Sequence, residues 1–207
     1  MARLLYHVSG TARILGEAIA TSPPAELKVQ NRKRLDRLHI DPTLVNLFIE
    51  NPHYSPLQQT AFAMALEKIQ AKRNIALPLH VATRASDPES TSIMTSIMLM
   101  LSGYDKHVSS LVEFKTAGRI FGGVNEKGGL IVTLPADHVT WNRRLAEGAA
   151  GFGNYPVELW ITGTFSSLAR EHLKKYGWTL EEKVAGRIGF KYKQLRHANL
   201  EGKNSPA

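Results

Sequence analysis

The sequence predicts an α+β fold, with α/β as the alternative, in which a helical N-terminal region leads into a mixed β-sheet with helices packed on it. Three observations predict it. Residues 1–74 carry helix starts and helical periodicity only. Three short runs rich in β-branched and aromatic residues follow one another between 111 and 135. Finally, Val157 to Val184 reads VELWITG, TFSSLAREHLKKYG, WTLEEKV, which is strand, amphipathic helix, strand. The predicted organisation is a helical region 1–74, a mixed-sheet domain 75–195 and a flexible basic and polar tail 196–207.

Leu4, Leu5, Val8, Ala12, Leu15 and Ile19 recur at near-helical spacing before Ser22-Pro23-Pro24 breaks the chain. Ala25 to Leu38 is predicted as a strongly basic helix with Ser22 as its cap and prolines in the first turn. Asp41-Pro42 starts a short helix that ends near Glu50. Ser55-Pro56-Leu57-Gln58 is the clearest start in the chain. Ser55 stands at the N-cap, Pro56 at the first helical position and Gln58 at the third, which completes a capping box, and the helix is predicted to reach about Arg73.

Ile75–Ala85 (IALPLHVATRA) alternates and reads as a strand, with Pro78 favouring an edge or a strand start. Ser86-Asp87-Pro88-Glu89 opens a helix through about Leu101, with Ile93, Met94, Ile97, Met98 and Leu101 as a core stripe and Gly103 as its stop. Strands are predicted at 111–117, 119–124 and 129–135, with Asn125–Gly128 as a hairpin turn. Asp137 or Thr140 then opens a helix through about Ala150. From Asn74 to Val184 the order is β-α-β-β-β-α-β-α-β, and Arg187–Leu195 is a possible further edge strand.

Composition narrows the chemistry. The chain has no cysteine, so disulfides, thiolate nucleophiles and cysteine-based metal sites are excluded. No histidine pair stands at HxH or HxxxH spacing and there is no HExxH, so no metal or cofactor is expected. The most apolar run, Ile93–Leu101, is about half of what a bilayer crossing needs and contains Thr95 and Ser96. A soluble chain is expected, with the cytoplasm slightly favoured and an exported form with its signal removed left open.

The formal net charge of +8 sits at the two ends, while residues 76–167 are near neutral. Lys28, Arg32, Lys33, Arg34 and Arg37 form the most concrete binding signal. Their spacing spreads them around a helix, which suits diffuse attraction to a polyanion such as nucleic acid. Lys191 and Lys193, interleaved with Phe190 and Tyr192, are a second polyanion-binding candidate. The N-terminal helices are a candidate surface for a protein partner or for oligomerisation.

Two loops could carry catalysis. Asp137 and His138 follow a strand end, where a histidine can serve as general base, although Asp137 reads more simply as a helix cap. Gly163, Thr164, Ser166 and Ser167 mark a strand-to-helix corner able to seat an anion. It lacks Walker and GxGxxG spacing, and no GxSxG occurs in the chain. The sequence therefore favours a non-catalytic binding or interaction module. The alternative is a small hydrolase or transferase acting on an anionic substrate at these two loops. Both loops at one end of the sheet, facing a shared cleft, would favour the alternative.

Overall fold

The computed structural model describes residues 22–69, 71, 73–152 and 155–190. The predicted helix over 4–19, Lys191, Lys193 and the tail lie outside these residues. Seven helices are described: α1 Pro24–Asp36, α2 Pro42–Ile49, α3 Pro56–Lys68, α4 Leu77–Ala82, α5 Pro88–His107, α6 Arg143–Ala150 and α7 Ser167–Lys175. The strands are β1 Leu111–Ala117, β2 Ile120–Asn125, β3 Leu130–Leu134, β4 His138–Val139, β5 Val157–Ile161, β6 Thr164–Phe165 and β7 Thr179–Glu181. They form a mixed five-stranded sheet in the order β1-β2-β3-β5-β7 and a small parallel pair, β4-β6. This is an α+β fold.

Helix starts are fixed by local chemistry. Asp41 accepts from the amides of Thr43 and Leu44 at 2.8 and 3.1 Å and caps α2. Ser55 and Gln58 exchange both capping-box bonds at α3, and Asp87 with Ser90 does the same at α5. Long-range polar contacts then join the helices. Gln59, buried on α3, donates to the carbonyls of Phe48 and Ile49, two of the acceptors left over at the end of α2.

The sheet separates two apolar clusters. On one face Phe114, Phe121, Ile131 and Trp160 pack with Leu35, Phe48, Phe62, Leu66, Leu79, Ile97 and Leu101 of α1–α5. On the other, Val124, Leu130, Val132, Leu159 and Ile161 pack with Ala149 of α6 and Ala169 and Leu173 of α7. Alternation along β3, with Leu130 and Val132 on one face and Ile131 on the other, sets this division. β1, β2 and β3 are antiparallel neighbours, whereas β3-β5 and β5-β7 are parallel and carry the crossovers through α6 and α7.

Several expectations are corrected. Ile75–Ala85 is not a strand but contains α4. A short apolar run fits either period, and here Pro78 stands in the first helical turn while Leu79 and Ala82, three apart, are buried. The strand-like contact falls to Arg73, which bridges Glu113 of β1 in parallel before Asn74, at φ 58°, turns the chain away. Correspondingly, α3 ends at Lys68 rather than Arg73. Pro23, not Ser22, holds the N-cap position of α1.

Gly103 does not stop α5, which continues to His107. A Cβ at Gly103 would lie 2.2 Å from the carbonyl oxygen of Ile188, so this glycine serves a close backbone approach. The chain brought so close is the segment predicted as an edge strand. Its described part, 187–190, is instead a turn that follows the 3-10 turn Val184–Gly186, and Ile188 in it is buried on the helical face. Arg187 there lies over the Trp160 ring at 4.4 Å and pairs with Glu181 at 2.5 Å. Lastly, neither Asp137 nor Thr140 opens a helix. The chain stays extended through β4, and Asn142 caps α6 by accepting from the Leu145 amide at 3.0 Å.

Candidate functional site

The two loops singled out from the sequence meet at the carboxyl end of β3 and β5. β4 runs parallel to β6 with His138 opposite Thr164 and Val139 opposite Phe165. The Thr164 amide donates to the Asp137 carbonyl at 3.0 Å, and the Ser166 amide donates to the Val139 carbonyl at 2.9 Å. Gly163 is required by this approach, because a Cβ there would lie 1.9 Å from the Asp137 carbonyl oxygen. His138 is exposed, and its Nδ1 lies 3.0 Å from Thr164 Oγ1. A histidine and a hydroxyl are thus in contact.

Four backbone donors of the corner, the amides of Thr164, Phe165, Ser166 and Ala169, are already in use. The Phe165 amide donates to Glu182 Oε1 at 2.6 Å. Arg170 grips the same carboxylate with two bonds of 3.0 and 2.9 Å. The Arg170 guanidinium first, and the Phe165 amide second, hold the Glu182 carboxyl below the usual range. Ser166 Oγ accepts from the Ala169 amide at 3.1 Å and so acts as the N-cap of α7. Ser167 follows as the exposed first helical residue. The chain fills this corner with its own carboxylate. Both crossover helices also pack on the same face, so these strands have no reversal of winding, the feature that opens a ligand crevice in doubly wound sheets.

The basic helix α1 is arranged differently. Leu27, Asn31 and Leu35 form its buried stripe, and the five cations divide around it. Lys28 and Arg32 reach Glu50, the C-cap residue of α2, at 2.8 and 3.5 Å. Arg34 and Arg37 reach Glu67 of α3 at 3.5 and 2.9 Å. Among the described residues no ion pair of Lys33 is seen. The five do not share one face; they form two clamps and one outward lysine. Lys28, first by hydrogen bond and then by its charge, and Arg32 more weakly, hold the Glu50 carboxyl below its ordinary range.

Beside the Glu50 clamp lies an open depression of about 570 Å³ whose lining includes Asn46, Leu47, Glu50, Pro52, Arg84 and Ala85. Leu47 is 60% exposed, more than any other large apolar side chain among the described residues. A signal for it exists in the sequence. α2 reads PTLVNLFI, too apolar for one face of two turns to bury, and with Val45, Phe48 and Ile49 inside, Leu47 must point out. Glu50, Glu67, Arg170 and Glu182 had no comparable local signal, because each works through a partner at least twelve positions away.

Among the described residues no group of three or more His, Asp or Glu side chains could hold a metal ion, and no helix is long and apolar enough to cross a membrane. No protein-family model, curated protein or solved structure matches this chain.

Proposed function

We propose that the protein is a non-catalytic binding module that takes an anionic partner, a polyanion or an acidic protein, on its basic N-terminal helical layer, with the sheet as scaffold. The observation that supports this most is the Glu50 clamp. Two cations there share one carboxylate on an exposed surface, which leaves positive charge free to meet a partner. The test is retention on immobilised heparin. The wild-type chain is expected to bind at low salt and to elute in a salt-dependent way, and the Lys28→Glu/Arg32→Glu/Lys33→Glu variant is expected to elute distinctly earlier. Absence of retention, or identical elution of both proteins, rejects the reading.

One observation favours a second reading, a small hydrolase or transferase acting on an anionic substrate. It is the 3.0 Å contact between His138 Nδ1 and Thr164 Oγ1, which suits a base and the hydroxyl it would activate. Turnover of a p-nitrophenyl phosphate or ester that disappears in both His138→Ala and Thr164→Ala would establish it. Turnover unaffected by either substitution would dispose of it.

A further inference from the structure

Resting on the binding reading above, we infer that the depression at Leu47 is the docking groove for one acidic amphipathic segment of a partner protein. The walls come from α2 with its following turn and from residues 83–86. They are tied together from below. Asn51 Nδ2 donates to the carbonyls of Thr83 and Ala85 at 3.4 and 3.0 Å, and Tyr54 Oη donates to the Ala82 carbonyl at 3.2 Å. Tyr54 is 5% exposed, and burial pushes its phenol well above the ordinary range, so the hydroxyl stays a donor. The groove is therefore preformed, and a ligand loses less freedom of the receptor on binding.

The chemistry of the groove selects the occupant. Leu47, Pro52 and Ala85 give an apolar strip, and Leu47 is left largely in water. Covering it with an apolar side chain recovers hydrophobic free energy that folding has left unused. Arg84 lines the groove, with its Nη2 2.9 Å from His80 Nε2, and Lys28 and Arg32 stand next to it through their pairing with the lining Glu50. Of the carboxylates nearby, Glu50 is engaged by Lys28 and Arg32, and Asp87 is engaged in capping α5. Counting the two cations on Glu50, Lys28, Arg32 and Arg84 stand against the carboxylates of Glu50 and Asp87 beside an apolar centre. A segment with one apolar face flanked by carboxylates is complementary on both counts, whereas a bare polyanion matches only the cations.

Fluorescence anisotropy with a labelled synthetic peptide tests this. The probe is a helix-forming peptide of about 14 residues with leucines on one face and glutamates on the other. Its comparators are a scrambled version, an oligoglutamate of equal length and a version with lysine for glutamate. The acidic amphipathic peptide is expected to bind saturably, with affinity falling about tenfold or more in Leu47→Asp and in Lys28→Glu/Arg32→Glu and unchanged in His138→Ala. Leu47→Ser serves as a milder second variant, and a thermal melt of each protein verifies folding. Equal binding of the scrambled peptide, of the lysine version or by the Leu47 variants overturns the inference. So does equal binding of oligoglutamate, which leaves the polyanion reading standing. Heparin retention without saturable peptide binding rejects the groove alone; loss of both rejects the binding reading with it.

Discussion

The corner after β5 and the flank between α1 and α2 are built from the same parts, cations gathered around a carboxylate, yet they end in opposite states. At the corner one carboxylate, Glu182, meets one guanidinium and one backbone amide, and its side chain is only 24% exposed. At the flank one carboxylate, Glu50, meets two cations, and its side chain is 59% exposed beside an apolar side chain left in water. The first arrangement closes on itself and stabilises the fold. The second leaves both charge and apolar surface unspent. At the corner the chain's own Glu182 carboxylate takes the Phe165 amide and the Arg170 guanidinium that an outside anion would need.

The largest effect expected from breaking this comparison is at Gly163. Gly163→Ala forces β6 away from Asp137 and should cost about 3 kcal/mol in a denaturant titration. A loss below about 1 kcal/mol would mean that the approach of β4 to β6 is loose. Next comes Glu182→Ala, which strands Arg170 and the Phe165 amide. It should cost about 1–2 kcal/mol, whereas Glu50→Ala should leave the melting temperature within about 1 °C. Equal losses at the two glutamates would erase the distinction between a closed and an open carboxylate.

Acid sharpens the same contrast. Glu182 is held below the ordinary glutamate value of about 4.3, so its contribution is complete above that pH and is lost as pH falls through its lowered folded value. The difference in melting temperature between wild type and Glu182→Gln should be constant from about pH 7 to pH 5 and shrink below about pH 4. A gap that persists at low pH contradicts the assignment. The smallest effect is at Asp105, near the end of α5. Burial raises its carboxyl, while the side chain accepts from the Leu111 amide at 2.7 Å. Asp105→Asn keeps an acceptor and removes a buried charge at a helix C-terminus, so the melting temperature at neutral pH should rise by about 1–2 °C.

What the sequence made legible follows from range. The capping box at Ser55, the hairpin at Asn125–Gly128 and the β5-α7-β7 unit are written in residues a few positions apart, and all three are present. Ile75–Ala85 reads as a strand in sequence because an apolar run this short satisfies both periods, and only the tertiary burial of Leu79 and Ala82 decides for the helix Leu77–Ala82. Gly103 looked like a stop because the chain that needs its missing Cβ lies at Ile188. The candidate site divides in the same way. His138 and Thr164 could be named from local context, but their contact is created by the β4-β6 pairing. The cations of α1 were visible as composition, while their division between Glu50 and Glu67 depends on how α2 and α3 pack.

The central claim is that the open flank, not the closed corner, meets a partner. The most direct measurement is one anisotropy titration of the acidic amphipathic peptide against three proteins: wild type, Leu47→Asp and Thr164→Ala. The account predicts about tenfold weaker binding in Leu47→Asp and wild-type affinity in Thr164→Ala. Undiminished binding in Leu47→Asp, or a loss confined to Thr164→Ala, would contradict it.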